Sequence, residues 1–159
     1  MTTLTTALLW FAALGSALLG GVYFAFSAFI MRALRDAGHA GTVSMNSINR
    51  VILRSTFMPL FIGTTLAAAA LTALGLMNFG RANALMLIVG GVLHVAGMFG
   101  VTVFCNVPLN NALQNVAAES RTGTAIWNDY LRRWTRWNHL RAASSLAAAA
   151  LFILALLQR

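Results

Sequence analysis

The residues that could do chemistry fall in three short polar stretches, each flanking a long apolar run. The stretch WNDYLRRWTRWNHLR (127–141) is the most informative. At 100° per residue, Trp127, Tyr130, Trp134, Asn138, Arg141 and Ser145 form one helical stripe with Trp137 at its edge. Arg132, Arg133 and Arg136 take the opposite side, where water or lipid phosphate would meet them. An interfacial aromatic belt with snorkelling arginines is one reading. A polar pair turned to lipid at the top of a span is costly, however, so a stripe holding Asn138 and Arg141 is expected to face other helices and line a pocket. His139 projects about 100° from Asn138. It is the only histidine near this cluster and a candidate base near neutral pH. Its alternatives are a bond to a phosphate or a loop carbonyl.

Asn46, Asn49 and Arg50 in SMNSINR form the second stretch, Asn106 and Asn110 in NVPLNN the third. Asparagines and arginines at helix ends can fasten a bundle by hydrogen bonds. They can equally converge as donors on an oxygen-bearing ligand. His94 shares a separate stripe with Met98, Val101 and Cys105. Soft side chains in line raise a haem or copper site, but Cys105 lies 11 residues, about 16 Å, along the helix from His94, so one ion cannot take both. Packing of His94 against Gly90 and Gly97 is the simpler role, and no metal ligand is assigned.

The elements that must position these residues are set by composition. Of 159 residues, 59% are apolar and 9% charged, roughly a third of the charge of an average soluble domain. A soluble enzyme, a disordered tail and a disulfide scaffold are excluded; Cys105 is the only cysteine. Residues 1–31, 55–80, 82–118 and 142–158 carry no Asp, Glu, Lys or Arg. A bilayer-crossing helix takes about 20 residues, so all four runs qualify. The expectation is an all-α, four-transmembrane-helix bundle in one domain (1–159), with spans near 4–31, 55–77, 84–106 and 140–158. The first span is read as retained and not as a cleaved signal peptide.

The net charge of +8 comes from eleven arginines and three acids. Nine of the arginines lie in the two long connections, while Arg81 and Arg159 fall at the other end. The positive-inside rule then places those connections in the cytoplasm and both termini outside. The basicity is read as orientation, with no nucleic-acid partner. Ser44 is expected to cap a helix that runs unbroken into span two, with Pro59 as a kink, and Asn46, Asn49, Arg50 and Leu53 on one face. Pro108 is expected to mark a helix end or kink between Asn106 and Asn110. Ser16 with Gly20, and Ala17 with Gly21, let a neighbouring helix approach closely, and a homo-oligomer is one use of such a face. No carboxylate lies inside a span, which argues against a proton-coupled exporter.

The segments GGVYFAFSAFIMRAL (20–34), MNSINR (45–50), GMFGVTVFCNVPLNNAL (97–113) and WNDYLRRWTRWNHLRAASSLAAAALFIL (127–154) resemble the anthrone-oxygenase-like group of small integral membrane proteins. The resemblance spans nearly the whole chain. It implies a bacterial inner-membrane protein and oxidation of an anthrone- or hydroquinone-like ring by molecular oxygen, without metal or flavin. It carries over Asn106, Pro108, Asn110, Trp134, Trp137, Asn138, His139 and Arg141, and through "INR" Asn49 and Arg50. The implied roles are His139 as base, Arg50, Arg141 and the asparagines around an oxyanion, and Tyr130, Trp134 and Trp137 against the rings of a substrate arriving from the lipid bilayer. The alternative is a non-catalytic protein that binds a lipid, quinone or hydrophobic metabolite or locks a helix assembly, with haem or copper redox at His94 as a further alternative.

Overall fold

In an apolar medium a backbone must satisfy its own polar groups, and a single chain segment does so as a helix. The computed structural model describes residues 2–158, and no strand occurs among them. Five helical rods follow in order: α1 (Thr3–Asp36), α2 (His39–Ile52), α3 (Phe57–Met77), α4 (Ala84–Gln114) and α5 (Arg121–Leu157). All except α2 are long and apolar enough to cross a membrane, and the chain is an integral membrane protein.

The four long helices meet in the cyclic order α1, α3, α4, α5, with α5 returning along most of α1. Their core is built in three layers. The layer at the Leu9 end is made largely of alanines and leucines, such as Ala12, Ala68 and Ala148, with Phe152 between them. The middle layer centres on Tyr23, Phe61 and Met98. The third, at the arginine-rich end, holds Met31, Met45, Leu113, Trp127, Tyr130 and Trp134. Gly20 shows why the first span carries small residues: a Cβ there would lie 2.8 Å from the Leu146 side chain of α5. Ser16 also faces inward, whereas Gly21 is exposed.

Several local expectations are corrected. The helix around SMNSINR starts at His39, so Ser44 is an interior residue, and it stops at Ile52 instead of continuing into α3. Ser55 enforces the break: its hydroxyl donates to the Ile52 carbonyl at 2.8 Å and accepts from the Phe57 amide at 3.2 Å. Pro59 therefore lies in the first turn of α3, where an absent N–H costs nothing, and starts the helix rather than kinking it. Pro108 does not end α4; the helix passes it and runs to Gln114. Immediately before it, residues 93–100 and 102–106 form widened π turns. A further π turn spans 26–30 in α1. Helix α5 starts at Arg121, ahead of the polar stretch that leads into span four, because Ser120 caps it by accepting from the Gly123 amide at 2.9 Å.

The α1–α2 turn depends on two glycines. Gly38 adopts a φ of +58°, and a Cβ on the buried Gly41 would collide with the Leu34 carbonyl oxygen. A backbone atom cannot swing aside, so Gly41→Ala is expected to cost about 1–3 kcal/mol, read as a lowered thermal unfolding midpoint in micelles.

Candidate functional site

Helix α5 buries the stripe expected of it. Trp127, Tyr130, Trp134, Asn138, Arg141 and Ser145 are all buried, with Arg132, Arg133 and Arg136 exposed behind them. Tyr130 is stacked between Trp127 and Trp134, with ring centres 5.6 and 5.8 Å apart. Phe26 from the π turn of α1 continues the series, 5.6 Å from Trp134.

Arg141 lies between this aromatic layer and the middle layer, only 5% exposed. Its Nη2 donates to Asn138 Oδ1 at 2.7 Å and its Nη1 to Thr102 Oγ1 at 3.4 Å. The guanidinium carbon is 4.4 Å from the centre of the Tyr23 ring and 4.9 Å from that of Trp134, so two π faces share the cation. Asn138 ties α5 to α1 by donating to the Tyr23 carbonyl and to Ser27 Oγ, each at 2.7 Å. Asn106 donates to the Trp134 carbonyl at 3.2 Å, and Tyr130 donates its hydroxyl proton to Asn110 Oδ1 at 2.8 Å. Asn49 is buried on α2. The sites on α1 and α4 fall at or beside π turns: Ser27 lies within one, Thr102 opens one and Asn106 closes it. Widened turns of this kind recur at functional sites because they shift the register of the side chains beyond them.

The charge arrangement is unusual. All three acids lie at the surface and are already paired: Asp36 with Arg35, Glu119 with His39, and Asp129 with Arg132 and Arg133. No carboxylate among the described residues pairs with Arg141. The cluster is also incompletely satisfied. Arg141 Nε, Trp134 Nε1, Asn106 Oδ1 and Asn49 Nδ2 are buried without hydrogen-bond partners. A buried cation held only by neutral oxygens and aromatic faces has the chemistry to stabilise an anion placed beside it.

Three expected members lie elsewhere. Arg50 and His139 are exposed and Trp137 is 38% exposed, so none of them joins the cluster. The reason is angular. The buried face of α2 runs through Thr42, Met45 and Asn49, which turns Arg50 and Leu53 outward. His139 is likewise one residue off the stripe that Asn138 and Arg141 define. Conversely, Tyr23, Ser27 and Thr102 are integral to the cluster and were not anticipated. The only signal was a tyrosine within an apolar run. On α4 the partner of Arg141 is Thr102, two turns before Asn110.

His94 is fully buried, with Nδ1 2.9 Å from Ser16 Oγ and Nε2 unpartnered. Met98 Sδ accepts the Tyr23 hydroxyl at 3.5 Å. Among the described residues no three His, Cys, Asp or Glu side chains are placed to hold a metal ion together. Two surface grooves, of about 440 Å³ near His39 and Trp127 and about 670 Å³ near Leu8 and Met77, lie away from Arg141.

The sequence profile of the anthrone oxygenase family matches residues 48–151, well over half of the chain. The chain belongs to the anthrone oxygenase family. No curated protein and no solved structure matches it. The family match takes in His94, Thr102, Asn106, Tyr130, Trp134, Asn138 and Arg141, whereas Tyr23 and Ser27 come from α1, ahead of the matched segment.

Proposed function

We propose that this anthrone oxygenase family member oxidises an anthrone- or hydroquinone-like aromatic with molecular oxygen, inside the membrane and without a cofactor. The observation that carries the proposal is Arg141, a buried guanidinium with no carboxylate partner and a free Nε between two aromatic faces. Loss of a ring C–H proton converts an anthrone into an anion whose charge rests largely on oxygen. A preorganised cation in a dry site stabilises that charge far better than water does. Tyr23 and Trp134 supply ring faces beside it. The electron-rich anion then reacts with oxygen, and the net change is anthrone plus O2 to anthraquinone plus water. Such substrates concentrate in the bilayer, which makes lateral access the natural route. The arginine-rich end would be the cytoplasmic one, by the positive-inside rule.

The test is oxygen uptake by the purified protein in micelles with a panel of anthrones and hydroquinones, with quinone absorbance followed in parallel. Quinone formation above the uncatalysed rate for at least one substrate is expected. Background rates across the panel would overturn the reading and leave the second one, a polar latch, which the bonds from Asn138 to Tyr23 and Ser27 favour. Because His139 faces outward, His139→Gln is expected to keep uptake within about twofold of wild type, the usual range for a surface change. A complete loss in that variant would show that the base is His139 after all.

A further inference from the structure

The middle core layer lies directly beyond Arg141 and is lined by rings. Tyr23 meets Phe57 edge-on at 6.4 Å, Phe57 stacks on Phe61 at 6.0 Å, and Phe61 lies 5.4 Å from Phe99. Met98 completes the layer. A polar group closes each end. At one end Arg141 packs on the Tyr23 ring. At the other are Ser16 and His94. Ser16 precedes Leu19 and Tyr23 by three and seven residues on one face of α1, and His94 and Met98, four residues apart on α4, are both fully buried. One nitrogen at each end is buried and unpartnered: Arg141 Nε and His94 Nε2. His94 is the only histidine inside the bundle, since His39 and His139 are exposed.

We propose that this layer is the ring-binding compartment and that His94 is the catalytic base. The assignment rests on the oxygenase reading above. A planar substrate passes between α3 and α4 at the half-buried Phe57 and Phe99, with its oxygen toward Arg141 and its reacting carbon toward His94. His94 and Thr102, which meets Arg141, stand eight residues apart, about 12 Å for an α-helix and less through π turns. Met98 stands between them, and its unbranched thioether yields space at low cost. In the tautomer where Nδ1–H donates to Ser16, the unpartnered His94 Nε2 carries a free lone pair.

The step balances as follows. The C–H bond breaks, Nε2 takes the proton, and the electron pair delocalises onto the oxygen beside Arg141. That carbon adds O2, a C–O bond forms, and oxygen is reduced to the peroxide level; the distal oxygen takes the proton back from His94. Loss of the second C–H proton with cleavage of the O–O bond gives the new carbonyl and water.

The experiment follows hydrogen exchange at the reacting carbon of deuterated anthrone without oxygen, in the full-length protein in micelles, alongside aerobic uptake. Wild type is expected to accelerate exchange. His94→Gln, which keeps a polar side chain of similar size, should lose both exchange and uptake by about 10²-fold or more, the contribution of a positioned base. His39→Gln at the surface should match wild type. Unchanged exchange in a folded His94→Gln protein overturns the base assignment while leaving the oxygenase reading intact. Uptake without exchange in wild type also overturns it. Absence of both in wild type overturns the oxygenase reading itself. Should His94→Gln fail to fold, Ser16→Ala decides: releasing Nδ1 should slow exchange about tenfold or more through misorientation, with KM unchanged, and an unaltered rate refutes the role.

Discussion

Arg141→Met is expected to lower kcat for oxygen uptake by roughly 10²–10³-fold, the loss seen when a preorganised oxyanion donor is removed. The substitution removes the charge while keeping much of the volume between Tyr23 and Trp134. Stability should behave differently from activity. A buried charge without a counter-ion costs several kcal/mol to desolvate, so an apolar replacement is expected to leave the unfolding midpoint unchanged or raised. Arg141→Lys should not restore turnover, because an ammonium is a point charge that cannot hold Asn138, Thr102 and a third acceptor with one planar fork. The measurement is kcat and thermal unfolding on the same micellar preparation. A variant that unfolds more readily and still turns over at the wild-type rate would mean that Arg141 holds the bundle and binds no anion.

Asn138→Leu is the substitution expected to harm the fold most selectively. Asn138 joins three bonds: to the Tyr23 carbonyl, to Ser27 Oγ, and from Arg141. Leucine is of similar size but removes all three bonds. Side-chain bonds between membrane helices average about 0.6 kcal/mol, so three together amount to about 2 kcal/mol. Reversible unfolding in mixed micelles should show that loss, and activity should fall with it because Arg141 loses its 2.7 Å anchor. A loss below about 0.5 kcal/mol, the range of an ordinary surface change, would remove Asn138 as the link between α1 and α5.

The sequence by itself determined that four apolar helices exist and which face of α5 is buried. Backbone groups in lipid can be satisfied only within a helix, and a stripe holding Asn138 and Arg141 is cheapest when turned to other helices. The motifs also carried the family, which the match over residues 48–151 shows. Only the tertiary structure decided which polar residues meet. Arg50 and His139 neighbour Asn49 and Asn138 in sequence, yet one residue is 100° of helix, enough to turn each outward. The break after Ile52 came from a local competitor, the Ser55 hydroxyl taking backbone bonds that a continuous helix would have used. The π turns and the residues they present, Ser27, Thr102 and Asn106, have no periodic signature. The contact of Asn138 with Tyr23 joins positions 115 residues apart. Such pairings depend on which helix lies beside which, and on the register at which small residues let them approach, and these follow from packing the whole bundle.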